Sequence, residues 1–242
     1  REVYPVDPAW VMGQIMAESF FCEFAISHAF AVGVCQFIAP TARDFGMLTA
    51  GDREDHGKPP HALPELAGDI RRYYTAREKW KAALRARREM VGDESALLLE
   101  ALKALAAGKP LPRAKEYVAA MDREGALSRQ VKEARKNFRA FLEANFAGRD
   151  IFDENDLNFL RSFDERVTYS KPIRSMVLLL ARNLKARSGN IVAAAAGYNA
   201  GLGATVEDNP VYGPYGRIPG FEETVGYVSR LFINHHEIVR RM

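Results

Sequence analysis

Glu18–Ala42 reads ESFFCEFAISHAFAVGVCQFIAPTA, and how this stretch is read decides the fold. Upstream of it, Asp7-Pro8 is a good helix start, because Asp can cap the open amides and Pro is tolerated at the first helical position. Val11, Ile15 and Phe20, with Met12 and Met16, then supply a helical apolar face that ends near Glu18 and Ser19. An acid set among Met16, Phe20 and Phe21 is placed to lose water and keep its proton; the bland alternative is a surface glutamate closing an amphipathic helix. Phe21 to Gly33 is too mixed to assign. A second helix is expected to start near Gly33 and to carry Gln36 and Phe37.

Outward from this stretch the composition shifts. GMLTAGDREDHGKPPHALPEL, starting at Gly46, is rich in charge, Gly and Pro and reads as a surface connection. From about Glu65 to Phe146 the chain is rich in Ala, Leu, Glu, Lys and Arg and is predicted helical, with breaks near Gly92, Gly108-Lys109-Pro110 and Gly125. Residues 71–140 hold 18 Lys or Arg against 9 Asp or Glu, a net +9 in a chain of net +3, so the rest sums to −6. This basic segment either solvates amphipathic helices or offers a face to an acidic polymer or protein partner. It lacks the aromatic–basic interleaving of a base-stacking surface, so nucleic acid is not expected as a ligand. Further on, Lys171-Pro172 opens a helix with Ile173, Met176, Val177, Leu180 and Leu184 on one face, and Ser188-Gly189-Asn190 stops it. Ile191–Ala196 starts another helix in a run of four alanines, and Glu222–Ile238 forms the last. No large part of the chain alternates as a strand does. The fold class expected is mainly α.

Three motifs carry a family resemblance. Within the opening stretch Glu18, Ser19, Phe21, Ala25, Ser27, Ala31, Gly33, Gln36, Thr41 and Ala42 fall at the intervals of the first signature of the soluble-type (SLT) lytic transglycosylases. AGYNAGLG at Ala196–Gly203 resembles that family's Ala-Tyr-Asn-Ala-Gly run, and ETVGYV at Glu223–Val228 resembles its Glu-Thr, two residues, Tyr-Val pattern. Their order and spacing imply a lysozyme-like helical domain in two segments, 1–47 and 160–242, with 48–159 as a long, predominantly helical basic insertion. Departures from the pattern are Glu23 for Pro, Phe30 for Gly, Cys35 for Met, Ala39 for Pro and Gly197 for Ala. Phe30 is the most consequential: its ring either fills a sugar space, stacks on a sugar, or packs against the insertion.

The resemblance implies peptidoglycan as substrate and Glu18 as catalytic acid and base, cutting between N-acetylmuramic acid and N-acetylglucosamine to leave a 1,6-anhydromuramoyl end. Ser27 is implied near the substrate acetyl group or attacking sugar, or as a turn cap; Gln36 as a groove hydrogen-bonding group; Tyr198 as orienting Glu18 or the acetyl group; and Asn199 as fixing the adjoining loop. Glu223 either braces the groove or contacts substrate, Tyr227 packs with a hydrogen-bonding tip, and Tyr212 and Tyr215 form either an aromatic wall for sugars or a Gly/Pro-shaped connection. The acidic cluster Asp52, Glu54 and Asp55 reads as loop decoration rather than a second catalytic acid. A lysozyme-like hydrolase and a weakly catalytic wall-binding protein are the competing functions.

Neither the cysteines nor the five histidines match a metal signature, and no phosphate loop or dinucleotide fingerprint is present, so no metal or cofactor is expected. Cys22 and Cys35 either pair in an oxidising compartment or are two small buried apolar groups. No apolar run reaches membrane-spanning length. The chain starts at Arg1 without an initiator methionine, which fits a processed or truncated chain whose signal peptide or lipid anchor lies upstream, and the expected place is the periplasm or cell envelope. A wall or secretion-machinery partner is the expectation for the basic insertion.

Overall fold

The computed structural model describes residues 5–61, 72–111 and 113–242; the expected helix start near Glu65 lies outside the described residues. The chain forms two compact units, Arg1–Thr49 with Gly148–Met242, and Ala50–Ala147. The described residues are mainly α-helical, and their β-pairing is confined to the isolated bridges Ile26↔Val32 and Val32↔Phe37. None of the described helices is long and apolar enough to cross a membrane.

In the first unit, α1 spans Pro8–Ser19, α2 Ala39–Asp44, α6 Glu154–Phe163, α7 Ser170–Ala186, α8 Ile191–Ala200 and α9 Glu222–Arg241; α3 to α5 belong to the second. Asp7 caps α1 by accepting from the Ala9 amide, as the Asp-Pro signal requires, and Asn190 caps α8 through the amides of Val192 and Ala193. α1 crosses α9 closely. A Cβ at Gly13 would stand 3.1 Å from the His235 backbone nitrogen, so glycine sets this approach. The core joins Trp10 and Ile15 of α1, Val34 and Phe37 of the following loop, Met176 and Leu180 of α7, and Leu231 of α9. Ala193–Ala196 have no exposure, and their small side chains let α8 lie between α7 and α9.

The second segment of this unit starts at Gly148, earlier than residue 160. α6 packs on the short 3-10 turn Glu165–Val167 and buries Leu160 and Phe163, which ties 154–163 to this unit. The expected helix near Gly33 is absent. Gly33 and Gln36 both have positive φ, 81° and 48°, which no α-helix accommodates, and the helix begins at Ala39 instead. Cys35 is buried and Cys22 exposed, and both are free thiols, which excludes the disulfide alternative here.

In the second unit, α3 (Arg72–Val91), α4 (Glu94–Ala106) and α5 (Ala114–Phe146) are broken at Gly92 and Gly108 as expected. Gly125 does not break α5: the glycine penalty of about 1 kcal/mol is small against a 33-residue helix packed along α3. Tyr73 stacks on Phe138 and Arg87 pairs with Glu124, so α3 and α5 run antiparallel. α4 buries none of its residues and leaves Leu98, Leu102 and Leu105 exposed.

Candidate active site

An open cleft of about 490 Å³ in the first unit is lined from three directions: the end of α1 with Glu18, Ser19 and Phe20, the loop with Ala25, Ile26, Ser27 and Gln36, and α9 with Arg230 and Asn234. Glu18 sits in the last turn of α1. That helix ends on Phe20, which adopts a left-handed conformation (φ 55°) and returns its amide to the Met16 carbonyl. Phe21 follows at φ 63°. Two consecutive non-glycine residues in this region are uncommon, and they turn the chain sharply away just after the acid. The Ser19 hydroxyl, 3.0 Å from the Val34 carbonyl and 3.3 Å from that of Ile15, ties this helix end to the loop.

The loop is held by side chains rather than by regular structure. Ser27 Oγ accepts from the amides of Ala29 (3.2 Å) and Ala31 (2.9 Å), so Ser27 is a turn cap and a cleft-lining residue at once. Gln36 Nε2 donates to the carbonyls of Ala25 (3.1 Å) and Gly33 (2.8 Å), so its amide nitrogen is spent on the loop. From beneath, Arg166 donates to the carbonyls of Phe30 (3.0 Å) and Phe37 (3.1 Å) while Asp164 accepts its other guanidinium nitrogens at 2.9 and 2.6 Å. A Cβ at Gly33 would lie 1.9 Å from the Arg166 carbonyl oxygen, so only glycine lets the loop seat here.

Glu18 is half-buried, and loss of water raises its carboxyl pKa from 4.5 to about 7. The exposed Glu223 adds to that rise; the Tyr227 hydroxyl and the Arg230 guanidinium oppose it. Tyr227 Oη is buried and acts from beside the carboxyl, although it has no partner within full hydrogen-bond geometry. Two of the three expected apolar neighbours do not produce the burial, while Met16 is partly buried and lines the cleft. Phe20 is 74% exposed and Phe21 43%, because the left-handed turn swings both rings outward. Phe20 is instead the exposed ring on the cleft wall.

Tyr198 donates to the Cys35 carbonyl at 2.7 Å, which leaves its hydroxyl oxygen an acceptor. Burial keeps this hydroxyl protonated, and the neighbouring Glu18 and Tyr227 reinforce that. Asn199 Oδ1 accepts from Thr224 at 2.9 Å and so joins the end of α8 to the start of α9, away from the cleft lining. Phe30 is 2% exposed and lies in the core beneath the loop, which removes it as a ring that fills a sugar space or stacks on a sugar. Tyr212 and Tyr215 are exposed but belong to the 209–216 loop and do not line the cleft. Asp55 pairs with Arg53 at 2.7 Å in the second unit. Among the described residues no cluster of His, Cys, Asp or Glu is arranged to hold a metal.

Sequence reading missed Arg230 and Asn234. The signal was present: Glu223, Tyr227, Arg230 and Asn234 follow one another by four, three and four residues, one stripe of α9, and α9 turns that stripe toward the end of α1. It also missed Arg166, whose carbonyl partners lie more than 120 positions away.

A mainly α unit with a half-buried carboxylic acid in an open cleft is the class these features define. The family model described as Transglycosylase SLT domain matches residues 1–84, so the first 84 residues of this 242-residue chain are similar to that family. The match includes Glu18, Ser27 and Gln36, while the motifs at Ala196–Gly203 and Glu223–Val228 lie beyond it. No curated protein and no solved structure matches the chain significantly.

Proposed function

We propose that this chain is a peptidoglycan lytic transglycosylase that cuts the β-1,4 bond between N-acetylmuramic acid and N-acetylglucosamine, with Glu18 as acid and then base. The observation that carries the reading is the Glu18 carboxyl itself: half-buried, raised to about pKa 7, and the sole carboxylate among the described residues that line the cleft. An acid with that pKa is substantially protonated near neutrality and still returns to a useful base. It gives its proton to the glycosidic oxygen as the bond to C1 breaks. The resulting carboxylate takes the proton of the muramoyl C6 hydroxyl, and O6 bonds to C1. The 1,6-anhydro ring closes, Glu18 is again protonated, and no water is consumed.

A second carboxylate is needed where water must be activated on the far face of the sugar or a covalent sugar intermediate formed. Glu223 is the second carboxylate within electrostatic reach of Glu18, so the products of cleavage decide between internal transfer and hydrolysis. Ser27 and Gln36 supply hydrogen-bonding groups on the loop wall, Phe20 a ring for a sugar face, and Tyr198 and Tyr227 the polar neighbours of the acid. Under this reading the unit Arg1–Thr49 with Gly148–Met242 is the catalytic domain, Ala50–Ala147 an insertion, and the place of action the cell envelope. The basic insertion is assigned to a protein partner of the wall or of a secretion assembly.

The test is digestion of purified peptidoglycan by the protein and by Glu18→Gln, with released muropeptides read by mass spectrometry. Anhydromuramoyl ends from the unsubstituted protein, and at least a thousandfold less from Glu18→Gln, are expected. Hydrated reducing ends make the protein a hydrolase, and equal cleavage by both proteins removes Glu18 from the chemistry.

A further inference from the structure

Arg230 stands in an electrostatically awkward place. It lines the cleft with Glu18, yet its positive charge favours the ionised form of a carboxyl that must hold a proton to start the reaction. Its side chain is exposed and forms no ion pair with any described residue, unlike Arg240 and Arg241 on the same helix, which both reach Glu237. Gly226 gives it room: a Cβ there would lie 3.5 Å from Arg230 Nη1. The guanidinium thus lies beside Gly226 at the cleft wall, exposed to an incoming group.

We propose that Arg230 is an anion subsite of the cleft, taking a carboxylate carried on the lactyl arm of the muramoyl residue. This deepens the transglycosylase reading and rests on it. The carboxylate is either the free lactyl acid of a peptide-free strand or an acid of the attached stem peptide; the guanidinium fork suits both. Binding would also resolve the conflict at Glu18. Pairing Arg230 with a substrate anion cancels the field that favours the Glu18 anion, so the acid takes up its proton as the substrate enters. The other groups facing Glu18 are Glu223 and Tyr227 on α9, Tyr198 on α8 and Cys35 in the loop. Burial keeps both tyrosines and the thiol neutral, leaving Arg230 as the positive charge that substrate can mask.

The experiment uses the full chain and three muramoyl tetrasaccharides: the free lactyl acid, its lactyl amide, and the peptide-bearing form. Affinity is measured by calorimetry in the Glu18→Gln background, with and without Arg230→Gln, so the result does not depend on cleavage. We expect one or both acid-bearing forms to bind about tenfold tighter than the amide, Arg230→Gln to erase that ratio while leaving amide binding unchanged, and Arg230→Lys to restore part of it. Preference for the free acid or the peptide-bearing form identifies the source of the carboxylate. With Glu18 intact, binding of the acid near pH 7 should take up protons, and Arg230→Gln should abolish the uptake. Equal affinity for acid and amide, equal losses on both from Arg230→Gln, or no binding of any form overturns the proposal. Failure of the function itself is read separately, from the muropeptide digest.

Discussion

Replacing Arg166 by Met should unseat the loop that carries Ser27 and Gln36, and the cost can be worked from the contacts. Arg166 and Asp164 are 1% and 0% exposed, paired through two short bonds, and Arg166 also satisfies the carbonyls of Phe30 and Phe37. Met fills much of the volume but supplies no donor. Asp164 then remains buried without its guanidinium, and two carbonyls lose a charged donor. Removing one partner of a buried pair costs about 3–5 kcal/mol. Each stranded acceptor adds about 1–3 kcal/mol if nothing relaxes, so about 4 kcal/mol is a lower-middle value. For a domain of ordinary stability this is roughly a thousandfold in the folding equilibrium. Trp10 lies in the core of the first unit and Trp80 in the second, so a Trp80→Phe background makes Trp10 fluorescence the reporter during urea unfolding. With a slope of about 2 kcal/mol per molar, the midpoint should fall by about 2 M. Asp164→Leu added to Arg166→Met should recover at least about 1 kcal/mol by removing the stranded charge. A loss below about 1 kcal/mol for Arg166→Met, or no recovery in the double variant, refutes this account of the loop.

Two further outcomes follow from the same geometry. Glu18 has a folded-state pKa of about 7 against 4.5 for the free side chain, so the fold disfavours its ionised form. Below pH 4.5 both states are protonated and the residue costs nothing; the penalty grows from there to pH 7 and stays at about 3 kcal/mol above. Glu18→Gln should therefore unfold at a higher temperature than the unsubstituted protein at pH 8 and at a similar one at pH 4; a gain of equal size at both pH values goes against a strained acid. Gly33→Ala should cost more than about 3 kcal/mol or prevent folding, since its Cβ meets Arg166 backbone at 1.9 Å. Gly46→Ala, at φ 69° with nothing within 4 Å, should cost only about 1 kcal/mol of left-handed strain, and similar losses for both would mean that strain alone sets the requirement at Gly33.

What was legible in the sequence was local. Asp7-Pro8, Lys171-Pro172, the Ser-Gly-Asn stop and the breaks at Gly92 and Gly108 all act within a turn or two of themselves, and the helices begin and end near them. The helix expected to start near Gly33 does not form there because the shape of the loop between Phe21 and Ile38 is imposed from elsewhere. Apolar spacing around Gly33 suits a helix, but Gln36 side-chain bonds and the distant Arg166 hold it in a turn instead. Gly125 failed as a break for the opposite reason, since continuous packing along α3 outweighs one unfavourable residue.

The cleft shows the same division. The motif residues Glu18, Ser27 and Gln36 line it, while the groups that act on the acid by charge and hydrogen bonding, Glu223, Tyr227 and Arg230, come from α9. That arrangement has a mechanical consequence. The acid and two of the groups that tune it, Tyr227 and Arg230, sit on different helices whose approach is set at Gly13 against His235. A shift at that crossing would change the separation between Glu18 and its tuning charges without altering any motif residue. The pKa of the acid therefore depends in part on how α1 and α9 pack, which no window of sequence around Glu18 contains.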